Sequence, residues 1–328
     1  MKKVYITEFI GEPLEPERDV LDGVAEVVAL EAESEEGLRG RIEDADALMV
    51  YHFLTLGRET IEALVQCKVI VRPGVGYDMI DVGAARERGI PVCNVPDYGT
   101  EEVADSAMAM ALSLTRGVSF LNSRLRRGEG GWSVGQAAPL QRLRSRVFGL
   151  VGLGRIGTAV ALRAKAHGME VAFYDPYVPD GKDKALGVRR VDVLGDLLAQ
   201  AHVLSLHCPL TDETRGMVGA GEIGRMKAGS FLVNTARGGV VDSRAVVDAL
   251  ESGRLAGAGI DVLEQEPPGE GNAVVQAWRD PGHPAHDRLI VNPHAAFYCE
   301  QGELEFRRKG AEEVRRALLG QPLRNEVQ

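Results

Sequence analysis

Three side chains suited to proton transfer and carboxylate binding follow three short apolar runs in the second half of the chain. Arg237 stands in NTARGGVVD, Glu266 in IDVLEQEPP and His294 in NPHAAFY. The imidazole of His294 can exchange a proton near neutral pH, and the Glu266 carboxylate can hydrogen-bond its second ring nitrogen. The Arg237 guanidinium is a planar fork that can bind a carboxylate and polarise an adjoining carbonyl. Each residue alone fits a structural or surface role, but together they favour acid/base chemistry.

A glycine-rich turn precedes all three residues. GLVGLGRIG, residues 149–157, carries Gly152, Gly154 and Gly157 between a strand pattern and a helical pattern. In this context GxGxxG predicts a dinucleotide site, because the glycines allow a tight turn, approach of the pyrophosphate and close helix–strand packing. The helix start supplies free N–H groups to the phosphates. Asp175 ends the next strand, where it can bind the ribose hydroxyls and repel a 2′-phosphate, so we expect NAD rather than NADP.

The elements that must position these residues alternate between strand and helix. The first hundred residues contain the strand patterns KKVYITEF, ALMVYHF, KVIVRPG and IPVCNVP, with a helical pattern in RETIEALVQC. From Val147 the strand patterns VFGLVG, EVAFYD, HVLSLHC, FLVNTA, AGAGIDV and LIVNP give about six strands, enough for a doubly wound parallel sheet. One long helix is expected over Glu101–Arg127, a long loop over residues 269–288, and a terminal helix in ELEFRRKGAEEVRRALLG.

Composition limits the classes of function. The chain has 328 residues, of which 45% are hydrophobic and 26% charged, which predicts about two domains with a substantial core. The net charge of −10 argues against nucleic acid or an anionic membrane as a partner. No apolar run reaches the roughly 18 residues of a membrane span, and Glu8 interrupts the apolar start, which favours a first strand over a signal peptide. Four cysteines without a CxxC pair favour reduced thiols and a cytoplasmic protein. The pair His283 and His286 is too weak a signal for a metal, so we expect no metal site.

The chain resembles the D-isomer-specific 2-hydroxyacid dehydrogenases along nearly its full length. The motifs that carry the resemblance are VGLGRIG, HCPLTDETRGMV, FLVNTARGGVVD, AGAGIDVLEQEP and NPHAAFY, in the order and approximate spacing of that family. Within the family it is most similar to the C-terminal-binding-protein (CtBP) branch, through YHFLTL, IVRPGVGYDMID, VCNVPDYGTEEVADS, ALRAKAHGMEVAFYDPY and HAAFYCEQ. Several motifs in register are far more specific than the glycines alone.

The resemblance implies an α/β protein with two Rossmann-like domains. An NAD-binding domain, residues 100–294, is inserted into a flavodoxin-like substrate-binding domain made of residues 1–99 and 295–328. This insertion explains why the glycine turn comes so late in the sequence. The resemblance also implies a hinged catalytic cleft, and a dimerisation arm over residues 101–140 that makes a homodimer the expected assembly.

The resemblance also assigns roles to individual residues. It implies that Arg237, Glu266 and His294 are the catalytic arginine, glutamate and acid/base histidine. The implied NAD-binding residues are Gly152, Gly154, Arg155, Ile156, Gly157, Asp175, Cys208, Pro209, Thr214, Thr235, Ala236, Asp261 and His294. The implied substrate-binding residues are His52, Arg72, Val75, Gly76, Arg237 and Phe297. Among these, Arg72 and the backbone N–H groups of the GVG loop would bind the substrate carboxylate.

One departure from the family bears on the substrate. Phe297 stands after HAA, where the CtBP branch often carries tryptophan, so the site keeps an aromatic ring but loses an N–H donor. The segment YHFLTLGRET also lacks the basic cluster expected for a phosphoglycerate enzyme. Both features favour a small or apolar 2-oxo acid. Two alternatives stay open: an NADH-sensing, protein-binding scaffold of the corepressor type with little turnover, and a dehydrogenase acting on an unusual acid.

Overall fold

A computed structural model of the chain describes residues 1–327. The chain folds into two compact units. The first unit comprises Met1–Gly99 and the chain from Tyr298 onward, and the second comprises Thr100–Phe297. Over residues 1–327, no helix combines the length and apolar character that crossing a bilayer requires.

The strands and helices follow each other in α/β alternation within the described residues. The strands are β1 (Lys2–Ile6), β2 (Ala25–Ala29), β3 (Ala47–Met49), β4 (Ile70–Arg72), β5 (Val92–Asn94), β6 (Val147–Val151), β7 (Glu170–Tyr174), β8 (Arg189–Arg190), β9 (Val203–Leu206), β10 (Ser230–Asn234), β11 (Leu255–Ile260) and β12 (Leu289–Val291). The α-helices are α1 (Glu15–Leu21), α2 (Arg58–Ala63), α3 (Val82–Glu87), α4 (Thr100–Arg116), α5 (Val118–Arg126), α6 (Arg155–Ala166), α7 (Lys182–Leu186), α8 (Leu194–Gln200), α9 (Ala220–Arg225), α10 (Ser243–Glu251), α11 (Ala273–Arg279) and α12 (Glu300–Leu318). Short 3-10 helices cover Glu36–Leu38, Val134–Ala137, Gly238–Val240 and His286–Arg288.

The first unit is built on a parallel sheet with the strand order β2-β1-β3-β4-β5. This is the flavodoxin-like order, in which the chain moves outward in both directions from the neighbouring strands β1 and β3. The short strands β3, β4 and β5 are buried throughout, as expected for a parallel sheet covered on both faces. The expected flavodoxin-like fold is therefore confirmed.

The second unit is built on a larger parallel sheet with the order β12-β11-β10-β9-β6-β7-β8. Starting from β6, the chain first builds outward through β7 and β8, then returns to the other side of β6 and builds outward through β9 to β12. This is the doubly wound Rossmann arrangement, and it confirms the expected fold. The glycine turn follows β6, the strand at which the two halves of the sheet meet.

Two expectations about individual elements are wrong. The segment Glu101–Arg127 is not one helix, because Gly117 adopts a left-handed conformation (φ 65°) that ends α4 and begins α5. Residues 269–288 are not one loop, because α11 lies within them. The Asn272 side chain accepts a hydrogen bond from the Val275 N–H at 3.1 Å and caps this helix, which buries Val274 and Val275 in the second unit.

Candidate functional site

His294 and Glu266 are joined by a direct hydrogen bond in the second unit. His294 Nδ1 lies 2.6 Å from Glu266 Oε2, and the other carboxylate oxygen of Glu266 accepts the Leu263 N–H at 2.7 Å. The side chains are 19% and 25% exposed, so both are shielded but accessible. Because Glu266 is fixed by its own backbone loop, it holds the imidazole in one orientation. The predicted imidazole–carboxylate contact is thus present.

Asp261 anchors the turn that carries His294. It follows β11, it is buried, and its carboxylate accepts hydrogen bonds from the N–H groups of Ala295 and Ala296 at 3.0–3.2 Å. The Asp261 carbonyl also accepts the His294 N–H at 2.7 Å, and His294 adopts a left-handed φ of 52°. Burial raises the pKa of the Asp261 carboxyl, and the two N–H groups oppose that shift. Asp261 is predicted to contact NAD, and in the structure its carboxylate is hydrogen-bonded to the backbone of the turn that carries His294.

Arg237 lies in a tight turn between β10 and the 3-10 helix Gly238–Val240. Its Nη1 donates to the Ala236 carbonyl at 2.9 Å. Asn234 braces the turn from both sides, since its Nδ2 donates to the Arg237 carbonyl at 3.0 Å and its Oδ1 accepts the Ala236 N–H at 3.1 Å. Sequence reasoning missed Asn234, although a polar residue ending the apolar run FLV was a usable signal.

Gly238 brings the Arg237 turn against the loop that carries Glu266. A Cβ at position 238 would lie 1.9 Å from the Leu263 carbonyl carbon and 2.3 Å from the Glu264 nitrogen. Only glycine permits so close an approach of two backbone segments. Sequence reasoning missed this glycine as well, since the loop that it contacts is distant along the chain. The contact fixes the Arg237 turn relative to Leu263, whose own N–H, one peptide earlier, binds Glu266.

The glycine turn has the geometry expected for a dinucleotide. Gly152 has φ 93°, and a Cβ there would lie 2.7 Å from the His207 backbone, while a Cβ at Gly157 would lie 2.2 Å from the Gly152 carbonyl oxygen. Around Gly154, in contrast, a Cβ would meet no atom within 4 Å. Two of the glycines therefore serve backbone packing, and Gly154 leaves open space at the N-terminus of α6, where Arg155 and Ile156 follow.

Two further observations fit the binding of NAD at this turn. Asp175 accepts the Leu153 N–H at 2.8 Å through Oδ2 and the Tyr177 N–H at 3.0 Å through Oδ1, so its carboxylate is held beside the turn. The hydroxyl of Thr235 is buried and has no hydrogen-bond partner within residues 1–327. A buried orphan hydroxyl is costly unless a ligand completes it, which agrees with its predicted role.

The segment after β9 packs against the glycine turn. His207 shares a hydrogen bond with the Ser205 hydroxyl at 2.9 Å, and burial lowers its pKa to about 3. Burial raises the pKa of the Cys208 thiol to about 11, so this cysteine is neutral. The Thr214 hydroxyl donates to the Pro209 carbonyl at 2.6 Å and closes the loop. These residues shape the turn through packing and backbone contacts.

In the first unit, the predicted carboxylate-binding residues lie in the GVG loop, which is Gly74, Val75 and Gly76, or next to it. Arg72 is buried, its Nη1 donates to the Pro73 carbonyl at 3.1 Å, and its guanidinium occupies the space where a Cβ of Gly74 would lie. The Val75 carbonyl accepts the Asn94 amide at 2.7 Å, which fixes the loop ahead of Gly76. The guanidinium thus packs against the loop's own backbone.

The remaining predicted substrate residues are His52 and Phe297. The His52 N–H donates to the buried carboxylate of Glu8 at 2.5 Å in the first unit, a partner that sequence reasoning missed. In the second unit the Phe297 ring lies edge-on to the His294 imidazole, with centroids 6.1 Å apart. Phe297 therefore provides an apolar wall beside the imidazole.

Known proteins are similar to this chain in sequence and in fold. Residues 108–296 match the family model described as the NAD-binding domain of D-isomer specific 2-hydroxyacid dehydrogenases. The chain is 35% identical to D-3-phosphoglycerate dehydrogenase of Methanocaldococcus jannaschii over its whole length and 59% of that protein. It is 36% identical to C-terminal-binding protein 1 of Caenorhabditis elegans over 94% of this chain and 42% of that protein. The chain thus spans roughly half the length of these two relatives.

Among solved structures, a glyoxylate reductase from Paecilomyes thermophila is similar over nearly the whole chain. The TM-score is 0.86 at 29% sequence identity, and the match covers 99% of this chain and 98% of that one. The similarity therefore extends over both units.

Proposed function

The chain belongs to the D-isomer-specific 2-hydroxyacid dehydrogenase family, and we propose that it interconverts a D-2-hydroxy acid and a 2-oxo acid with NAD as cofactor. The observation that carries this proposal is the 2.6 Å hydrogen bond between His294 Nδ1 and Glu266 Oε2 in the unit that matches the NAD-binding domain. An imidazole held by a carboxylate is the arrangement that proton transfer at a hydroxyl carbon requires.

His294 acts as the acid/base group. With Nδ1 donating to Glu266, Nε2 is the ring atom that takes the hydroxyl proton during oxidation and returns it during reduction. Glu266 fixes the tautomer and stabilises the imidazolium, as a carboxylate behind a catalytic histidine does. When bound, NAD accepts or supplies the hydride at the substrate carbon.

Arg237 binds the substrate and polarises its carbonyl. Its turn is braced by Asn234 and by the close approach at Gly238, so the guanidinium is offered from a rigid base. In the first unit, Arg72, the N–H groups of Val75 and Gly76, and His52 contribute to binding the substrate carboxylate. Phe297 excludes water beside the imidazole.

The cofactor is held by the glycine turn and the strand ends around it. Gly152, Gly154 and Gly157 admit the pyrophosphate to the N-terminus of α6, with Arg155 and Ile156 in the first turn. Asp175 binds the ribose hydroxyls. The further residues in this set are Cys208, Pro209, Thr214, Thr235, Ala236, Asp261 and His294.

A second function is favoured by one specific similarity. Because the chain is 36% identical to C-terminal-binding protein 1, an NADH-sensing scaffold that binds protein partners is the alternative. Capture of a partner that depends on NADH, together with negligible turnover, would favour the scaffold.

The homodimer is also a proposal. It is supported by the exposed apolar side chains Trp132 and Val134, which are 95% and 91% exposed and lie in the segment 101–140.

A substrate panel tests the proposed function. We expect the protein to oxidise NADH with at least one of glyoxylate, hydroxypyruvate, 2-oxo-4-methylthiobutyrate and phenylpyruvate, measured by the loss of NADH absorbance. His294→Ala should lower kcat by roughly 10²–10⁴-fold, the usual contribution of a positioned acid/base, and keep the Kd of NADH. A protein that binds NADH and turns over none of the panel would contradict the proposal. Wild-type turnover by His294→Ala would remove the assigned role of this residue.

A further inference from the structure

A cavity of about 600 Å³ lies in the second unit, at the amino ends of its strands. Its wall includes Arg146 before β6, His202 before β9, Ser230 at the start of β10 and Arg288 before β12. The glycine turn follows the carboxyl end of β6, so the five residues of that strand, about 16 Å, separate Arg146 from the turn. The volume is within the roughly 300–1,000 Å³ of small-molecule sites. We call this space the amino-end cavity.

Much of the wall of the amino-end cavity is apolar. The C-terminal part of α4, α5 and residues 136–141 contribute to it, together with the starts of β10 and β11. The large apolar side chains are Leu114, Phe120, Leu121, Leu140, Phe231 and Leu255. Such a wall favours a hydrocarbon chain or ring, because contact with it removes apolar surface from water.

The strand starts add positive charge to this wall. Arg146, Lys227 and Arg288 carry the charge, and Asp287 is the single carboxylate of the wall within residues 1–327. Both oxygens of Asp287 already accept hydrogen bonds from Arg127 Nη2, at 3.0 and 2.8 Å. The wall therefore carries an excess of positive charge, which complements an anion.

Two hydrogen-bond donors of the wall face each other. The Val147 N–H donates to His202 Nδ1 at 3.1 Å, so the neutral imidazole carries its proton on Nε2. Burial lowers the pKa of His202 to about 4, and the charges of Lys227 and Arg146 act in the same direction. The ring is therefore neutral, and its Nε2 lies 2.8 Å from Arg146 Nη1, which is also a donor. Two donors do not bind each other, whereas an anionic oxygen accepts from both.

Ser230 adds a buried hydroxyl to the same wall. It is 2% exposed, and its Oγ has no hydrogen-bond partner within residues 1–327. The Ser230 N–H donates to the Lys227 carbonyl at 3.1 Å, and the Phe231 N–H donates to the His202 carbonyl at 2.9 Å. Backbone hydrogen bonds thus hold the hydroxyl, the lysine and the imidazole on adjoining residues. A buried hydroxyl without a partner is costly, which is consistent with a wall that a ligand completes.

We propose that the amino-end cavity is a second ligand site, which binds an apolar monocarboxylate. The carboxylate accepts hydrogen bonds from Arg146 and from His202 Nε2, close to the charge of Lys227, and the hydrocarbon part lies against the apolar wall. The carboxylate would thereby supply the acceptor that the two facing donors lack. This site is formed by the second unit alone, and it does not depend on the proposed function.

Calorimetric titration of the full chain, with NADH present, tests the proposed ligand class. Hexanoate carries a carboxylate and an apolar chain, and it has no hydroxyl or oxo group that could be turned over. Hexan-1-ol carries the chain without the charge, and inorganic phosphate carries charge without a chain. We expect the Kd of hexanoate to be at least tenfold lower than that of either comparison ligand, because both parts contribute to binding.

Three charge variants locate the bound carboxylate. Lys227→Glu reverses an exposed charge beside His202 and should raise the Kd of hexanoate roughly tenfold, while the Kd of NADH stays unchanged. Lys68→Glu is the matched control, since Lys68 is also exposed but lies in the first unit, and it should leave both Kd values unchanged. Arg237→Gln removes the guanidinium of the proposed active site and should leave the Kd of hexanoate unchanged.

Leu140→Trp tests the apolar wall without a change of charge. The larger ring should occupy part of the amino-end cavity and raise the Kd of hexanoate at least tenfold, while the Kd of NADH stays unchanged. Sedimentation of the same variant measures the oligomeric state. A changed oligomeric state with unchanged hexanoate affinity would assign the cavity to a second copy of the chain and overturn the inference.

The remaining outcomes also decide the inference. It is overturned if wild type does not bind hexanoate, or if hexan-1-ol or phosphate binds equally well. Loss of hexanoate binding in Arg237→Gln would place the carboxylate at the proposed active site, and equal losses in Lys227→Glu and Lys68→Glu would remove the assigned position. None of these measurements requires turnover. Failure of this site therefore leaves the proposed dehydrogenase intact, and absence of turnover leaves this site intact.

Discussion

Gly238→Ala tests whether the backbone contact between two loops sets the catalytic geometry. The added Cβ would lie 1.9 Å from the Leu263 carbonyl carbon and 2.1 Å from its oxygen. These are backbone atoms, so no side-chain rotation can relieve the overlap. Ordinary carbon contacts are about 3.5 Å, and one of the two loops must therefore move by about 1.5 Å.

That displacement reaches the proposed acid/base pair through one residue. The residue that Gly238 contacts, Leu263, donates its N–H to Glu266 at 2.7 Å, and Glu266 holds His294. Misplacement of a reacting group by about 1 Å can cost 10²-fold in rate, so we expect kcat to fall by about that factor. Overpacking should also cost about 1–3 kcal/mol of unfolding free energy, a drop in Tm of several degrees.

The adjacent glycine provides the control. In Gly239→Ala the new Cβ would meet the end of the Leu210 side chain, at 3.1 Å, which can rotate away. We expect near wild-type kcat and a Tm change of about 1–2 °C, within the range of a tolerated substitution. Steady-state kinetics and thermal melts of the two variants should be compared with NADH bound. Wild-type kcat in a folded Gly238→Ala protein would refute the proposed coupling between the two loops.

Two further predictions concern the cofactor and pH. Asp175→Asn keeps an acceptor for the Leu153 N–H but removes the charge that repels a 2′-phosphate, so the preference for NADH over NADPH should fall roughly tenfold in kcat/KM; an unchanged preference would argue against this role. His207 has a pKa lowered to about 3 by burial, against about 6.5 when unfolded, so the unfolded chain binds the extra proton between these values. Stability should therefore fall by roughly 2–4 kcal/mol as pH drops from 6.5 towards 3, and His207→Gln should flatten that slope in urea melts. Parallel slopes for the two proteins would remove His207 as the cause.

The sheets were largely predictable because their strands are short apolar runs with clear ends. Two strands were not predicted. The run AEVVA of β2 was not recognised as a strand pattern, and Arg189–Arg190 of β8 carries no apolar signal and exists as a strand only through its pairing with β7. The helical pattern through Gly117 continues on both sides, so periodicity alone did not reveal the break. The helix α11 was not predicted because glycines and prolines flank it, although Asn272 is a residue type that favours the N-cap position.

At the site, the chemically active residues were predictable from the sequence. The residues whose hydrogen bonds hold them in place were not. Motif order indicated His294, Glu266 and Arg237, since each follows a strand pattern. Glu8 is different, because the three backbone N–H groups that it accepts stand more than forty positions away and become neighbours only when β1 pairs with β3. Such contacts depend on tertiary adjacency, which a local pattern does not encode.

The second unit positions its functional side chains by backbone-to-backbone contacts. Gly157 lies against the carbonyl of Gly152, and Gly238 lies against the peptide of Leu263, in both cases closer than any side chain permits. Strand ends joined in this way move with the sheet, so the geometry does not depend on the rotamers of long side chains. It follows that substitutions at these contact glycines should disturb turnover more than many changes of exposed polar residues nearby. The chemistry of the site therefore depends on residues without side chains as well as on the imidazole and carboxylate that they position.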